Sequence, residues 1–253
     1  MRFVRLALYP ILFLTLLLAG PLSVLATGDL MSRSWRTAER GSAGIAPLPS
    51  EEPRAVIQVY AARTYSWRGA FAVHTWIAVK PANANAYTTH HVIGWRRPNV
   101  LVSGIDIPDR HWFGARPDLV LDLRGPDAEA LIDDVEAAVA SYPYPHEYRA
   151  WPGPNSNTFI AWIGREVPEL GLEMPALAVG KDFLGTTLAD RTPSGTGFQV
   201  GVGGLLGLSV AVREGIELNI LGLTLGLDPE DLAIKLPGLG LLGFPRPVAA
   251  EEP

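Results

Sequence analysis

Trp151-Pro-Gly-Pro-Asn-Ser-Asn-Thr-Phe-Ile-Ala-Trp-Ile-Gly-Arg-Glu-Val167 is a turn that gives way to a helix. Pro152-Gly153-Pro154 cannot continue a helix, Asn155 and Ser156 are both favoured N-caps, and Phe159, Ile160, Ile163 and Val167 recur at helical spacing as a buried stripe. A helix with one apolar face needs a partner surface. Upstream segments supply it: 55–62, 70–80 and 86–95 carry the β-branched and aromatic content of strands, separated by Gly69 and by the Pro81-Ala-Asn-Ala-Asn85 turn, and 119–123 adds a short apolar strand. A second helix is expected over Asp127 to Tyr142, with Leu131, Ile132, Val135 and Val139 on one face. The fold class is therefore α+β, an antiparallel sheet packed with helices, with the core domain over 54–197.

From Phe198 the texture changes. Leu206, Leu208, Val210 and Val212 share a face, as do Ile216, Leu218 and Ile220, then Leu221, Leu223, Leu225 and Leu227. Turns fall at Arg213-Glu-Gly215 and at Asp228-Pro-Glu-Asp231, which predicts a C-terminal β-meander over 198–243 with one greasy face, followed by a tail over 244–253. That face is expected to pack on the main domain; the alternative is contact with lipid or an acyl chain.

At the other end, Arg2 and Arg5 precede an apolar run from Leu6 to Ala26. Its length suits a membrane anchor and its Val24-Leu-Ala26 ending suits a cleaved signal peptide. Either way the domain is expected on the exported side, because positive charge ahead of an apolar span stays cytoplasmic. Residues 27–53 lack periodicity and read as a linker lying partly against the domain. The net charge of −5 makes nucleic acid a poor partner, and the lack of any cysteine excludes disulfides and a thiolate nucleophile or ligand. Stability rests on a core, for which 253 residues at 48% apolar content suffice.

The candidate chemistry centres on a hydroxyl and an imidazole. Alternation along 70–80 puts Ala72, His74, Trp76 and Ala78 on one face, where His74 is either a general base or a hydrogen-bonded structural residue. Ser156 is either a nucleophile activated by that base or simply the helix cap. The following strand offers His90 and His91 on opposite faces, and one of them is the candidate to orient His74. Asn155, Asn157 or the first helical N–H groups are candidates for an oxyanion hole, and Trp76 and Trp151 for the walls. No metal or other cofactor is expected: adjacent His90 and His91 point to opposite faces, and His111 and His146 lack a ligand pattern. Gly201-Val-Gly-Gly204 reads as turns rather than a phosphate loop. Asp106, Asp109 and Asp122 read as solvated or capping acids.

The strings His74-Thr-Trp-Ile-Ala-Val-Lys80, Val92-Ile-Gly-Trp95, Trp112-Phe-Gly114, Tyr148-Arg-Ala-Trp-Pro-Gly-Pro-Asn-Ser-Asn-Thr-Phe159 and Gly180-Lys-Asp182 resemble those of a bacterial family called domain of unknown function 3750, over about 54 to 243. That resemblance implies relatives without a reaction. More distantly, the order of strand histidine, polar residue on the next strand and nucleophile opening a helix is similar to circularly permuted papain-like proteins. These include cell-wall peptidases, amidases and lipid acyltransferases. The similarity implies a papain-like core, with Ser156 where those proteins carry cysteine, His74 as base and His91 as orienting group. Two functions follow as expectations: a membrane-tethered hydrolase or acyltransferase acting on an envelope amide or ester of a lipid or a cell-wall peptide, or a non-catalytic envelope protein that uses the cleft for binding.

Overall fold

The computed structural model describes residues 2–32, 34–244 and 248. The chain opens with α1 (Arg2–Ala26) and a single turn α2 (Asp29–Ser32). Five strands follow: β1 (Val56–Arg63), β2 (Val73–Lys80), β3 (Thr88–Val92), β4 (Leu101–Ile105) and β5 (Asp118–Arg124). They form an antiparallel sheet in the order β4-β3-β2-β1-β5. Helices α3 (Pro126–Ala140) and α4 (Ser156–Glu166) come next. The remaining strands are β6 (Ala189–Arg191), β7 (Gly197–Val202), β8 (Leu206–Ala211), β9 (Gly215–Ile220), β10 (Leu223–Asp228), β11 (Ala233–Leu236) and β12 (Gly240–Leu242), an antiparallel meander in sequence order.

The architecture is α+β, as the periodicities predict. The helix expected over 127–142 runs from Pro126 to Ala140, β4 was not anticipated, and the meander begins at Ala189 rather than Phe198. Of the expected tail, only Phe244 and Val248 lie within the described residues.

β1 and β2 are central strands buried on both faces, which is why their sequences are near-continuous apolar runs. One face, with Ile57, Val59, Val73, Ile77 and Val79, packs against Val135 and Val139 of α3 and Phe159, Ile160 and Ile163 of α4. The other, with Val56, Tyr60, Trp76 and Ala78, is covered by Tyr87, Ala115 and part of the 27–53 segment, whose Ile45 and Ala46 pack there. Asp109 fastens that segment: its buried carboxylate accepts from Ser42 Oγ (2.9 Å), Ile45 N–H (2.6 Å) and Ala46 N–H (3.2 Å). Asp122 is likewise buried, accepting from Gln58 and Arg124. The solvated reading of these two acids is corrected, since each meets a concentrated set of donors that offsets the cost of desolvation.

The meander is turned the opposite way from expectation. Its greasy face points outward, with Phe198, Val210, Ile216 and Leu227 exposed, while Gln199, Ser209, Glu217, Asn219, Thr224, Asp228 and Lys235 are buried toward the core domain. Ion pairs make the polar layer tolerable. Glu217 lies between the ammonium groups of Lys181 and Lys235, and Lys235 Nζ also meets Glu173 (2.7 Å) and Asp228 (3.2 Å). Lys235 thus supplies the cation at the cluster of Glu173, Asp228 and Asp231.

Within α1, Tyr9–Ala26 has a mean hydropathy of 2.0, is long enough to cross a membrane, and is mostly exposed. Leu17, Gly20 and Pro21 are its buried positions.

Candidate functional site

β3 pairs with β2 only over Ile77–Val79, so the β2 edge from Val73 to Trp76 lacks a strand partner. Other groups take that edge. Val73 N–H donates to Leu177 O (3.0 Å), and Asn157 Nδ2 donates to Val73 O (3.0 Å). The start of α4 is thereby pinned beside the splay between β2 and β3, where Thr75 Oγ1 donates to Ser156 O (3.3 Å) and Asn157 Oδ1 (3.0 Å). A cavity of about 790 Å³ occupies the splay. His74, Ser156, Trp112, Phe113 and Trp151 are among its lining residues, and Leu221 and Leu223 reach it from the meander.

Asn155 is the helix cap. Its Oδ1 accepts from Asn157 N–H (2.9 Å) and Thr158 N–H (3.1 Å), while Thr158 Oγ1 accepts from Asn155 N–H (3.2 Å), a complete capping box. Ser156 is therefore the first helical residue, and the capping role considered for it falls to its neighbour. Its side chain is buried yet lines the cavity, and its hydroxyl makes no hydrogen bond among the described residues. The cap leaves the Ser156 N–H unclaimed by the helix, as first-turn donors are.

The two asparagines are otherwise committed. Asn155 Nδ2 donates to Ala150 O (3.2 Å) and Val179 O (3.0 Å), and Asn157 Nδ2 donates to Val73 O and to Val179 O (2.8 Å). Their side-chain amides hold the cavity floor together and are not free to bind an oxyanion; of the donors considered from sequence, the helical N–H remains. Gly180 makes room for this arrangement. Its φ is +100°, and a Cβ there would stand 2.5 Å from Asn155 Nδ2.

His74 leaves β2 on the face opposite the helices, next to Trp76, as alternation predicts. Its ring stacks on Trp112 (centroids 3.7 Å apart, planes 12° apart), and its Nε2 faces His91 Nδ1 at 3.4 Å. His90 belongs to the other face, between Ser103 Oγ (2.8 Å) and Glu136 Oε1 (3.1 Å) of α3, so of the two neighbours only His91 reaches His74. Burial, and then the neighbouring His91, push the His74 imidazole well below its ordinary value; burial lowers His91 to about 4. Both rings are neutral near pH 7. No hydrogen bond joins His74 to Ser156, although both line one cavity.

Trp76 is not a wall. It is buried behind the cavity, stacked on Tyr60, with Nε1 donating to Pro108 O (2.6 Å). Trp151 is at the mouth, 54% exposed, with Nε1 donating to Leu221 O (2.8 Å). The aromatic wall missed from sequence is Trp95, Trp112 and Phe113, whose rings contact one another at 5.2 to 5.8 Å. The signal was present in Trp112-Phe-Gly114 and in Gly94-Trp95. Gly94 has no room for a side chain, since a Cβ would lie 2.5 Å from the Tyr148 ring, another lining residue.

A family model described as protein of unknown function (DUF3750) matches residues 54–183, which takes in the five-stranded sheet, α3, α4 and the cavity floor and ends before the meander. No curated protein matches the chain, and no solved structure does.

Proposed function

The chain belongs to the family described as protein of unknown function (DUF3750), and we propose that its cavity is an acyl-transfer site. In this reading the protein is a membrane-anchored hydrolase or acyltransferase on the exported side, acting on an amide or ester of the envelope, a lipid or a cell-wall peptide. Ser156 is the nucleophile, His74 the base and His91 its orienting group, an arrangement like that of permuted papain-like proteins with serine in place of cysteine.

The observation that carries the reading is the Ser156 hydroxyl, held at a helix N-terminus that another residue caps, without a hydrogen bond among the described residues and facing a cavity shared with His74. In the tautomer in which His74 Nε2–H donates to His91 Nδ1, the His74 Nδ1 lone pair is left to take a proton. As Ser156 Oγ adds to the substrate carbonyl carbon, that proton passes to Nδ1, and the Ser156 N–H stabilises the oxyanion. Collapse expels an amine or alcohol, which receives the proton from His74. Water, or an acceptor alcohol or amine, then attacks the ester on Ser156 by the same steps in reverse. Catalytic hydrogen bonds are often long without substrate, so the open His74–Ser156 pair is compatible with this role.

One observation favours a second reading, a non-catalytic binding cavity: the His74 ring is engaged by Trp112 and His91 rather than by Ser156. A fluorophosphonate probe decides between them. Acyl transfer predicts covalent labelling of the folded protein that Ser156→Ala abolishes, with a stability change of about 0.5 kcal/mol or less because the hydroxyl it removes is unbonded. A separate variant, Ser156→Cys, is then expected to react with a thiol probe faster than a free thiol, and to lose that excess with His74→Ala. Labelling at background level with both probes leaves the binding reading.

A further inference from the structure

The outward face of the meander remains without an assigned partner. Its register aligns Phe198, Val210, Ile216, Leu227, Ile234 and Leu242 in one row across β7–β12, every member at least 43% exposed. A second row runs Val200, Leu208, Leu218 and Leu225. At ~4.8 Å between strands and ~3.4 Å per residue, the face measures about 24 Å by about 17 Å. Before side-chain relief is counted, that is already comparable to the largest apolar patch of an ordinary monomer. The opposite face of the same strands is polar and buried, with Glu217 paired to Lys235 and Asn219 Nδ2 donating to Asp182 Oδ2 (2.9 Å), so the orientation is not a register slip.

We propose that this face lies on the lipid bilayer, as an aliphatic platform beside the helical span. The apolar helix is fastened to the same sheet: Gly20 of α1 sits against Pro237 O so closely that a Cβ would be 2.0 Å from it, and Pro21 abuts Gly238, in the turn between β11 and β12. A bilayer that accommodates Tyr9–Ala26 therefore passes next to the sheet. The chemistry of the face selects lipid over protein. Both rows are aliphatic but for Phe198 and offer no side-chain hydrogen bond or charge, whereas protein interfaces are enriched in aromatic residues, Met and Arg. Arg191, across from Phe198 on the rim strand β6 and exposed, is placed to meet headgroup phosphate. Leu223 belongs both to this sheet and to the cavity lining, so the cavity borders the lipid-facing surface.

The cysteine-free chain permits a direct test. Full-length protein carrying Leu208→Cys or Leu218→Cys is labelled with an environment-sensitive fluorophore and reconstituted in phosphatidylcholine/phosphatidylglycerol vesicles. Asp133→Cys, on the exposed side of α3, is the aqueous control. Insertion of α1 alone tethers the protein without burying a label on the sheet. Contact with lipid predicts blue-shifted emission at 208 and 218, loss of quenching by aqueous iodide and strong quenching by brominated lipid, with the 133 label open to iodide. Iodide access at 208 and 218 equal to that at 133 overturns the proposal. So does shielding without quenching by brominated lipid, accompanied by cross-linking of Leu218→Cys between copies, which assigns the face to a second chain.

Discussion

At the scale of single residues, the buried imidazoles tie stability to pH. His74 and His91 have folded-state values below that of the unfolded chain, for both chiefly through burial, so the unfolded chain binds protons first as pH falls. Their stabilisation is complete above the unfolded value near 6.5 and is lost progressively as pH falls from there toward about 4, the His91 value. The thermal midpoint is expected to drop between pH 6.5 and 5, above most carboxylate titration, and the drop should shrink in the His74→Gln/His91→Gln double variant; an equal drop in that variant removes these two imidazoles as its cause and leaves the buried His90. The pairing of His74 with His91 rather than His90 was legible only in part. Strand alternation says that adjacent histidines face apart, but the face toward α3 is chosen by Glu136 and Ser103, which reach His90 from distant sequence. The committed amides of Asn155 and Asn157 were illegible for a similar reason, because their acceptors, Val73 O and Val179 O, come from segments far away in sequence.

At the scale of the element, β9 inverts the usual relation between polarity and importance. Glu217 points inward between Lys181 and Lys235, and Leu218, next in sequence, points to the outer face. Burial would raise the Glu217 carboxyl, and the two ammonium groups override it and hold it below its ordinary value. Removing one member of such a buried cluster leaves uncompensated charge, so Glu217→Gln should cost about 3–5 kcal/mol. Leu218→Ala, losing little buried area within one chain, should cost about 0.5 kcal/mol or less in detergent. Urea titrations of both check the ordering, and a leucine variant that is the more destabilising contradicts the outward orientation. Alternation defines two faces of a strand without saying which one turns inward. Here the decision lay in polar partners, Lys181 and Glu173, outside the meander itself.

At the scale of the whole molecule, the apolar N-terminal helix, the meander and the cavity are joined in series. α1 meets the meander at Gly20–Pro237 and Pro21–Gly238, and the meander closes the cavity through Leu221 and Leu223. The apolar N-terminal run and the meander were each readable as periodic segments, but their contact was not, since it depends on two glycines and two prolines that carry no hydrophobic pattern. That contact fixes the domain at the C-terminal end of the helix, and Arg2 and Arg5 lie in the first turns at its other end, ahead of the apolar stretch Tyr9–Ala26. Cationic flanks are retained in the cytoplasm, so the domain is predicted on the opposite side of the membrane. In a two-membrane bacterial host, alkaline phosphatase fused after Pro253, which needs an oxidising compartment to fold, is expected to be active, and a fluorescent protein that matures only in the cytoplasm is expected to be dark. The reverse pair of signals would place the cavity in the cytoplasm, out of reach of the exported lipids and cell-wall peptides proposed as its substrates.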